Sequence, residues 1–526
     1  MEGRVRSMAA EPFGARFRLS HPGSMLSTST FTMTSGRMSA SLVPMTVGHA
    51  LVRSATASPG ATALVIPPDR LTYGELLERA RARARGLAGF GVEAGDRVGL
   101  LMPNCVEFVE DLFAVALLGA VAVPINPRLQ PPEIAYVTDH AEARMVLTAD
   151  RQDGPTGDLP VAEAVRPADY ALLLYTSGTT SKPKGVRLSH EAVVRTGMAR
   201  FTERPDEGAP VVWTPCPLFH VGALVPLIGC VALGIPFVTQ RQFAAAEALR
   251  LWEQEGVTTA LPLFAAFTDA ILDDPTFATT DRRRLQQVLT TGDRRHVERA
   301  QRELAPARLV SAYGMTELCG VSASSPTDES DEDRVAWDGR PFQGVELRIV
   351  DPVSRRPVRA GELGEIAARG YCRLTAYHRD PEATAAVIDS DGWFHTGDLG
   401  VMDAAGRVKF RGRGKDVLKV GGENVSPLEV EAHLGLHPAV AHVEVVGAPD
   451  PRLDEVVAAF VEVVSGEQVA AADLIDHCRG SLAHFKVPRH VRFVGPGTWP
   501  MSATKVSKAA LRERIAAELL GSGVPS

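Results

Sequence analysis

Lysine is scarce in this chain. Of 56 lysines and arginines only eight are lysines (Lys182, Lys184, Lys409, Lys415, Lys419, Lys486, Lys505 and Lys508), and none stands before position 182 or between 184 and 409. Arginine is a planar fork and lysine a compact point charge, so sites that need the second cannot accept the first. The retained lysines therefore mark positions to question, codon usage being the bland alternative. There is no C-x-x-C pair among the six scattered cysteines, which excludes a cysteine-based metal site and reads as a reduced, cytoplasmic protein. There is no long basic run, and a net charge of −7 excludes nucleic acid as a main partner. Nor is there an internal repeat, a secretory signal or an unbroken membrane-length apolar run. Val221 to Val238 carries no charge, but Gly222, Pro226, Gly229, Gly234 and Pro236 punctuate it, so it reads as a buried helix followed by a strand rather than a transmembrane segment.

What is present suits a large enzyme. At 526 residues and 45% hydrophobic, the chain can build two or three cored domains. Residues 1–45 stand apart: Ser, Thr and Met abound, with five arginines and two acids. A transit-type presequence has this composition, as does an extension upstream of a later start; the expectation is an unstructured extension of no catalytic importance. From residue 46, strand-like runs alternate with helical patterns. Arg97–Met102 reads as a strand, Asn104–Leu118 as a helix ended by Gly119, and Ala120–Val123 as the next strand. Such alternation predicts parallel sheets with covering helices. After residue 340 shorter strands and Gly-rich turns, at Gly344–Val350 and Gly361–Ile366, predict a small β subdomain. Beyond about 416, strands at Val440–Val446 and Glu455–Val464 and a helix at Ala470–Leu482 predict a compact mixed α+β unit. The expected fold is thus α/β, a large N-terminal domain (46–412) of layered sheets and helices plus a β subdomain, joined through residues 413–415 to a small mobile domain (416–526).

The most informative string is Tyr175-Thr-Ser-Gly-Thr-Thr-Ser-Lys-Pro-Lys-Gly-Val186. Thr176, Ser177, Thr179 and Thr180 offer four hydroxyls, Gly178 permits a tight turn whose amides face an anion, and Lys184 adds a point charge. The apolar run Ala171–Tyr175 reads as a short buried strand feeding this string. Hydroxyls, amides and a lysine at a strand end describe a cradle for a polyphosphate, although the common G-x-x-x-x-G-K-[ST] loop is not matched. A solvated loop is the plain alternative for such a composition.

The full string resembles the phosphate loop of the adenylate-forming superfamily, which contains acyl-CoA synthetases, peptide-synthetase adenylation domains and luciferases. Four further segments resemble the signatures of that family. In Tyr313-Gly-Met-Thr-Glu317 the resemblance implies that Tyr313 stacks on adenine, Thr316 contacts the α-phosphate and Glu317, with Thr176, supports Mg²⁺. Gly314, Ser311, Ala312, Gly292 and Asp293 are implied along the same nucleotide. Asp398, within Trp393-Phe-His-Thr-Gly-Asp-Leu399, is implied as the ribose-binding acid, helped by Arg413, and Lys415 as the hinge. Lys419 with Gly421 and Gly422 is implied to line the site during thioester formation, the glycines toward coenzyme A. Pro500-Met-Ser-Ala-Thr-Lys-Val-Ser-Lys508 resembles the loop of the catalytic lysine. The usual Thr-Gly-Lys reads Thr504-Lys505 here, which makes Lys505 the catalytic candidate and Lys508 an outside one. Thr291-Gly-Asp-Arg294 departs from a Gly-Gly-Ala-Pro-like segment, and Ser181 stands where glycine is usual.

The implied reaction has two halves: a carboxylate attacks the α-phosphorus of Mg-ATP, and a thiol then displaces AMP from the acyl-adenylate. His220 aligns with a residue flanking the acyl carboxylate, and a satisfied core histidine is the alternative. Val221, Gly222, Leu263, Phe264 and Ala265 are expected to form an apolar acyl pocket suited to a fatty or an aryl acid. Trp213–Gly222 holds no acid that would meet an α-amine, which argues against amino-acid substrates. With no carrier domain appended before the chain ends at 526, the thiol is expected to come from elsewhere, coenzyme A being the leading candidate. A stand-alone enzyme loading a carrier protein is the alternative, a luciferase-like oxidase a distant third, and a homodimer is left open.

Overall fold

The computed structural model describes residues 45–150, 165–176, 183–203, 208–292, 294–326, 328–416, 418–420, 423–450, 453–479, 481–502 and 505–521, all within one compact unit, Leu42–Ser526. The expected extension, 1–45, lies outside these residues apart from Met45.

Two sheets organise the first half. A seven-stranded sheet runs Arg308–Val310, Gln287–Thr291, Thr259–Phe264, Val212–Trp213, Phe237–Val238, Thr62–Ile66, Asp69–Thr72. All its pairings are parallel except the last. A six-stranded sheet runs Ala376–Tyr377, Lys184–Ser189, Tyr170–Thr176, Val121–Ile125, Arg97–Leu101, Ala143–Leu147, parallel from the third strand onward and antiparallel at its first two joints. The helix expected at 104–118 is Val106–Leu118; Cys105 precedes it and Gly119 ends it at φ 72°. That left-handed stop is one a residue without Cβ adopts freely.

Helices that are apolar on nearly every side pack together in this half, as their sequences require. Val221–Leu233 has nine buried residues and is only 13 long, so it is a core helix, followed as expected by the strand Phe237–Val238. No helix among the described residues is long and apolar enough to cross a membrane. Gly229 on this helix meets Gly197 of His190–Thr202; a Cβ at 229 would sit 2.3 Å from the Gly197 carbonyl. Close packing here depends on both glycines, since added volume in such a contact costs about 1–3 kcal/mol. Arg83 and Asp111, both buried, form a 2.8 Å ion pair between Tyr73–Gly89 and Val106–Leu118.

From Ala312 to Arg413 the strand pairings are antiparallel, and the short Gly-punctuated runs after residue 340 form the expected β subdomain. A three-stranded sheet holds Ala312–Tyr313, Ala323–Ser324 and Arg340–Pro341. A four-stranded sheet holds Val345–Val350, Gly364–Gly370, Phe394–Met402 and Val408–Arg413. After the short 3-10 turn Gly414–Asp416, Leu418–Val420 starts another sheet with Glu423–Val425, Asp454–Val463, Val440–Asp450 and His490–Phe493. Alternate residues of its long strands serve two cores. Val445, Val457, Ala459 and Val461 meet Pro427–Leu434 and Ala471–Arg479, while Val446, Ala448, Val456, Ala458 and Phe460 meet Leu511 and Ile515 of Lys508–Gly521. Burial on both faces explains why these strands read as continuous apolar runs.

Candidate active site

The polyphosphate string falls at the turn of the hairpin Tyr170–Thr176/Lys184–Ser189, where Thr176 faces Lys184 across the pair. It therefore runs from strand to antiparallel strand, without the helix N-terminus that follows the common nucleotide-binding loop. Ser177, Gly178, Thr179, Thr180, Ser181 and Lys182 lie outside the described residues. Lys184 places its Nζ 4.9 Å from the centroid of the Tyr377 ring, a cation–π contact. The Tyr377 hydroxyl in turn donates to Glu317 Oε1 at 3.1 Å. Burial, then Glu317, raise the Tyr377 phenol pKa, with Arg413 opposing, so it stays a donor.

Glu317 is a buried acid on the 3-10 turn Thr316–Leu318, not a surface or cap residue. Among the described residues no donor is directed at its Oε2, which leaves one carboxylate oxygen for an outside partner. Gly314 has a packing reason: a Cβ there would lie 1.8 Å from the Gly320 carbonyl oxygen. Ser311 is buried and its hydroxyl donates to the Arg334 carbonyl, while Ser325 N donates to Ser311 O at 2.9 Å. Ala312 pairs with Ser324 in the adjoining strand.

Tyr313 and Asp398, 85 positions apart, are joined by a 2.9 Å hydrogen bond from the phenol to Oδ2. Asp398 Oδ1 lies 2.7 Å from Arg413 Nε, because Phe394–Met402 and Val408–Arg413 pair with these two residues opposite one another. Asp398 is thus a buried strand residue, 3% exposed, rather than a turn aspartate. The Tyr313 ring lies 6.3 Å from that of Phe410, nearly parallel. Burial, then Asp398, push the Tyr313 phenol pKa up.

Of the expected acyl-pocket residues, Gly222 and Leu263 meet. His220 is exposed and precedes Val221–Leu233 without capping it. A Cβ on Gly222 would lie 2.5 Å from Leu263 Cδ1. Leu263 stands at φ +65°, a left-handed conformation uncommon outside glycine, and Thr291 Oγ1 donates to its carbonyl at 2.7 Å. The register shift between Ala260 and Leu263 accompanies this bend. Gly292 is packed against His296, whose Cδ2 would be 2.5 Å from an added Cβ. His296 bridges Asp269 Oδ1 and Thr290 Oγ1, each at 3.0 Å, and Thr268 continues the chain to Thr290 at 2.7 Å. Asp293 lies outside the described residues.

Lys415 lies on the turn Gly414–Asp416, Lys419 on Leu418–Val420 and Lys505 on the two-stranded pair Met501–Ser502/Lys505–Val506. Gly421 and Gly422 are outside the described residues. Lys508 is held by Glu431 at 2.6 Å and Glu444 at 3.5 Å. Tyr377, Phe410 and His296 join the site with no warning in their own local sequence.

A family model described as AMP-binding enzyme matches residues 51–165 and 149–378, and one for the AMP-binding enzyme C-terminal domain matches 429–504. The chain belongs to the AMP-binding enzymes. Among these enzymes it is 35% identical over 496 residues to a feruloyl-CoA synthase of Amycolatopsis sp, spanning 88% of this chain and 98% of the relative. It is 32% identical over 510 residues to the long-chain-fatty-acid–CoA ligase FadD13 of Mycobacterium tuberculosis, spanning 90% and 99%. A solved AMP-binding enzyme, the anthranilate CoA ligase AuaEII in complex with anthranoyl-AMP, superposes with a TM-score of 0.81 at 25% identity, covering 90% of this chain and 98% of that one. The chain stands in the acyl-CoA ligase branch of the adenylate-forming superfamily, with its large N-terminal and small C-terminal domains.

Proposed function

We propose that this ATP-dependent carboxylate–CoA ligase activates a fatty or aryl acid, and that the residues gathered around Lys184 and Asp398 carry the first half of the reaction. The observation that carries this reading is the relay Lys184–Tyr377–Glu317. It sets a cation and a buried carboxylate on either side of one phenol, a pairing suited to a triphosphate and its divalent ion. Magnesium fits here: it usually takes one or two carboxylates together with phosphate oxygens and water, and Glu317 Oε2 is available. No group of three or more metal-ligating side chains among the described residues would hold an ion alone, in keeping with an ion that arrives with its nucleotide. When bound, Mg²⁺ with Glu317 and Thr176 would neutralise charge on the phosphate oxygens.

In the first half a carboxylate oxygen bonds to the α-phosphorus as the bond to the bridging oxygen of pyrophosphate breaks. Negative charge moves onto phosphate oxygens, so positioning and electrostatic stabilisation do most of the work. Lys184 and the hydroxyls of Thr176–Thr180 hold the leaving pyrophosphate, and Lys505 supplies charge near the α-phosphate. Asp398, an acceptor-only carboxylate, takes the ribose hydroxyls in exchange for its present donors. Tyr313 offers its ring to adenine beside Gly292, Ser311 and Ala312. His220 sits between the acyl pocket of Val221, Gly222, Leu263 and Phe264 and the nucleotide.

In the second half the thiol sulfur of coenzyme A bonds to the acyl carbon, the thiol proton is released and AMP leaves. The small domain, beginning near residue 416, turns about 413–415 to withdraw Lys505 and bring Lys419, Gly421 and Gly422 to the site. A cytoplasmic place in fatty-acid metabolism accords with this reading.

Mass spectrometry of products from ATP, Mg²⁺, coenzyme A and a mixed panel of fatty and aryl acids tests it. The expected products are an acyl-CoA and AMP. Acyl-adenylate accumulating without thioester would instead indicate a carrier-protein acceptor, and neither product would overturn the reading.

A further inference from the structure

The helix Pro131–Ala141 takes no part in the chemistry above, yet it grips both legs of the hairpin that presents Thr176 and Lys184. Its Tyr136 and His140, four residues apart, share one helix face and stack with ring centroids 5.5 Å apart. The Tyr136 hydroxyl donates to the Pro183 carbonyl at 3.1 Å, immediately before Lys184. His140 Nδ1 shares a 2.8 Å hydrogen bond with the Tyr175 hydroxyl, immediately before Thr176. His140 also meets the Tyr175 ring edge-on at 5.7 Å and that of His378 at 5.6 Å.

The opposite side is closed by His378, whose backbone N–H donates to Gly185 O at 2.7 Å and whose Nδ1 accepts from Arg187 Nε at 3.0 Å. There is no slack between these groups. A Cβ on Gly185 would come within 2.9 Å of Leu173 Cδ1, 3.1 Å of His378 Cβ and 3.3 Å of Tyr175 Cζ. Burial, then Arg187, lower His378 to about 4, and burial raises the Tyr175 phenol pKa.

We propose that Tyr136, His140 and Tyr175 form a clamp that sets where Thr176 and Lys184 leave the sheet, and so act as positioning residues for the triphosphate. None of the three touches the nucleotide in this account; they act through the hairpin. Lys184 reaches Tyr377, and Tyr377 reaches Glu317, so a displaced hairpin mouth would misplace the whole relay. The inference rests on the reading that the triphosphate binds at this hairpin.

The test uses the full chain with Tyr136→Phe, Tyr175→Phe and the double variant, each losing a hydroxyl while keeping its ring. Mg-ATP and AMP binding are measured by calorimetry alongside the melting temperature. The clamp predicts Mg-ATP binding weaker by about three- to tenfold per hydroxyl, the worth of one hydrogen bond. AMP binding, which makes no use of the β- and γ-phosphate cradle, should not change. Unchanged Mg-ATP binding, or equal weakening for ATP and AMP, would overturn it in favour of plain sheet packing. Wild-type enzyme that binds Mg-ATP but makes no acyl-CoA would defeat the proposed reaction while leaving the clamp measurable. Wild-type enzyme that fails to bind Mg-ATP would overturn both.

Discussion

Lys184 and Lys508 are two of only eight lysines, and their surroundings are opposite. Lys508 has its charge answered inside the protein: Glu431 of Pro427–Leu434 lies 2.6 Å away and Glu444 of Val440–Asp450 3.5 Å away. Burial works against the Lys508 charge, and Glu431 and Glu444 overcome it, so its pKa is raised. Lys184 meets the face of Tyr377 and, among the described residues, no carboxylate. The first arrangement is complete without a ligand; in the proposed reaction the second meets the phosphates of ATP. Scarcity of lysine flags both positions equally, and only the position of the nearest acid separates support from binding. Lys409, at 2.8 Å from Asp338, and Lys486, at 2.6 Å from Glu429, fall on the Lys508 side of that division.

The sharpest test is Lys505→Ala against Lys508→Ala. Lys505→Ala should lower adenylate formation by about 10²–10³-fold, the scale for removing one electrostatic stabiliser of a transition state. Thioester formation from a supplied acyl-adenylate should be largely spared, and equal loss of both halves would show a wrong assignment. Lys508→Ala should instead destabilise the fold by about 3 kcal/mol, because it leaves two carboxylates without their cation. Urea unfolding reads this directly, and a folded Lys508→Ala enzyme lacking adenylation alone would break the comparison.

Lys415→Pro comes next, slowing thioester formation by about tenfold or more if residues near 413–415 must rotate between the half-reactions. Single-turnover kinetics from supplied adenylate measure it, and an unchanged rate counts against a hinge there. Lys184→Gln should raise the KM for Mg-ATP by about tenfold, the worth of one charge-assisted contact, with little effect on melting temperature. A large drop in stability would move Lys184 to the structural class.

The last test concerns a buried base that stays neutral because burial outweighs the attraction of Asp169. His190, at the end of the strand that Lys184 begins, accepts from Val47 N at 3.2 Å and is lowered by burial to about 4. Its folded pKa lies below the usual 6.5, so its contribution is fully present above 6.5 and is lost as pH falls toward 4. Going from pH 7 to pH 5 should remove roughly 2 kcal/mol of stability. Urea unfolding at both values, compared with His190→Gln, isolates this share; an identical pH slope in the variant would refute it.

Much of the backbone was legible in residue patterns. The helix expected at 104–118 is Val106–Leu118, the strand expected at 455–464 is Asp454–Val463, and the helix expected at 470–482 is the shorter Ala471–Arg479. Periodicity and glycine stops are local signals, so such elements need no knowledge of their neighbours. The partners of the site residues were not legible. Tyr377 lies 60 positions from Glu317, Phe410 pairs with Tyr313 through two separate sheets, and Thr291 secures Leu263 from the adjoining strand. One compositional clue was at hand: the chain has seven tyrosines, and five of them (Tyr136, Tyr170, Tyr175, Tyr313 and Tyr377) lie at the hairpin or the site.

By itself the sequence determined the family, the order of helices and strands, and which residue types carry the chemistry, because these depend on short strings and local spacing. Only the tertiary structure decided that the polyphosphate string turns between antiparallel strands, that Asp398 faces both Tyr313 and Arg413, and that Leu263 bends toward Gly222. It also decided which rare lysine is neutralised and which is left open. Those outcomes depend on which distant groups share a few ångströms, and attraction between charges or rings at that range leaves no mark on neighbouring residues in the chain.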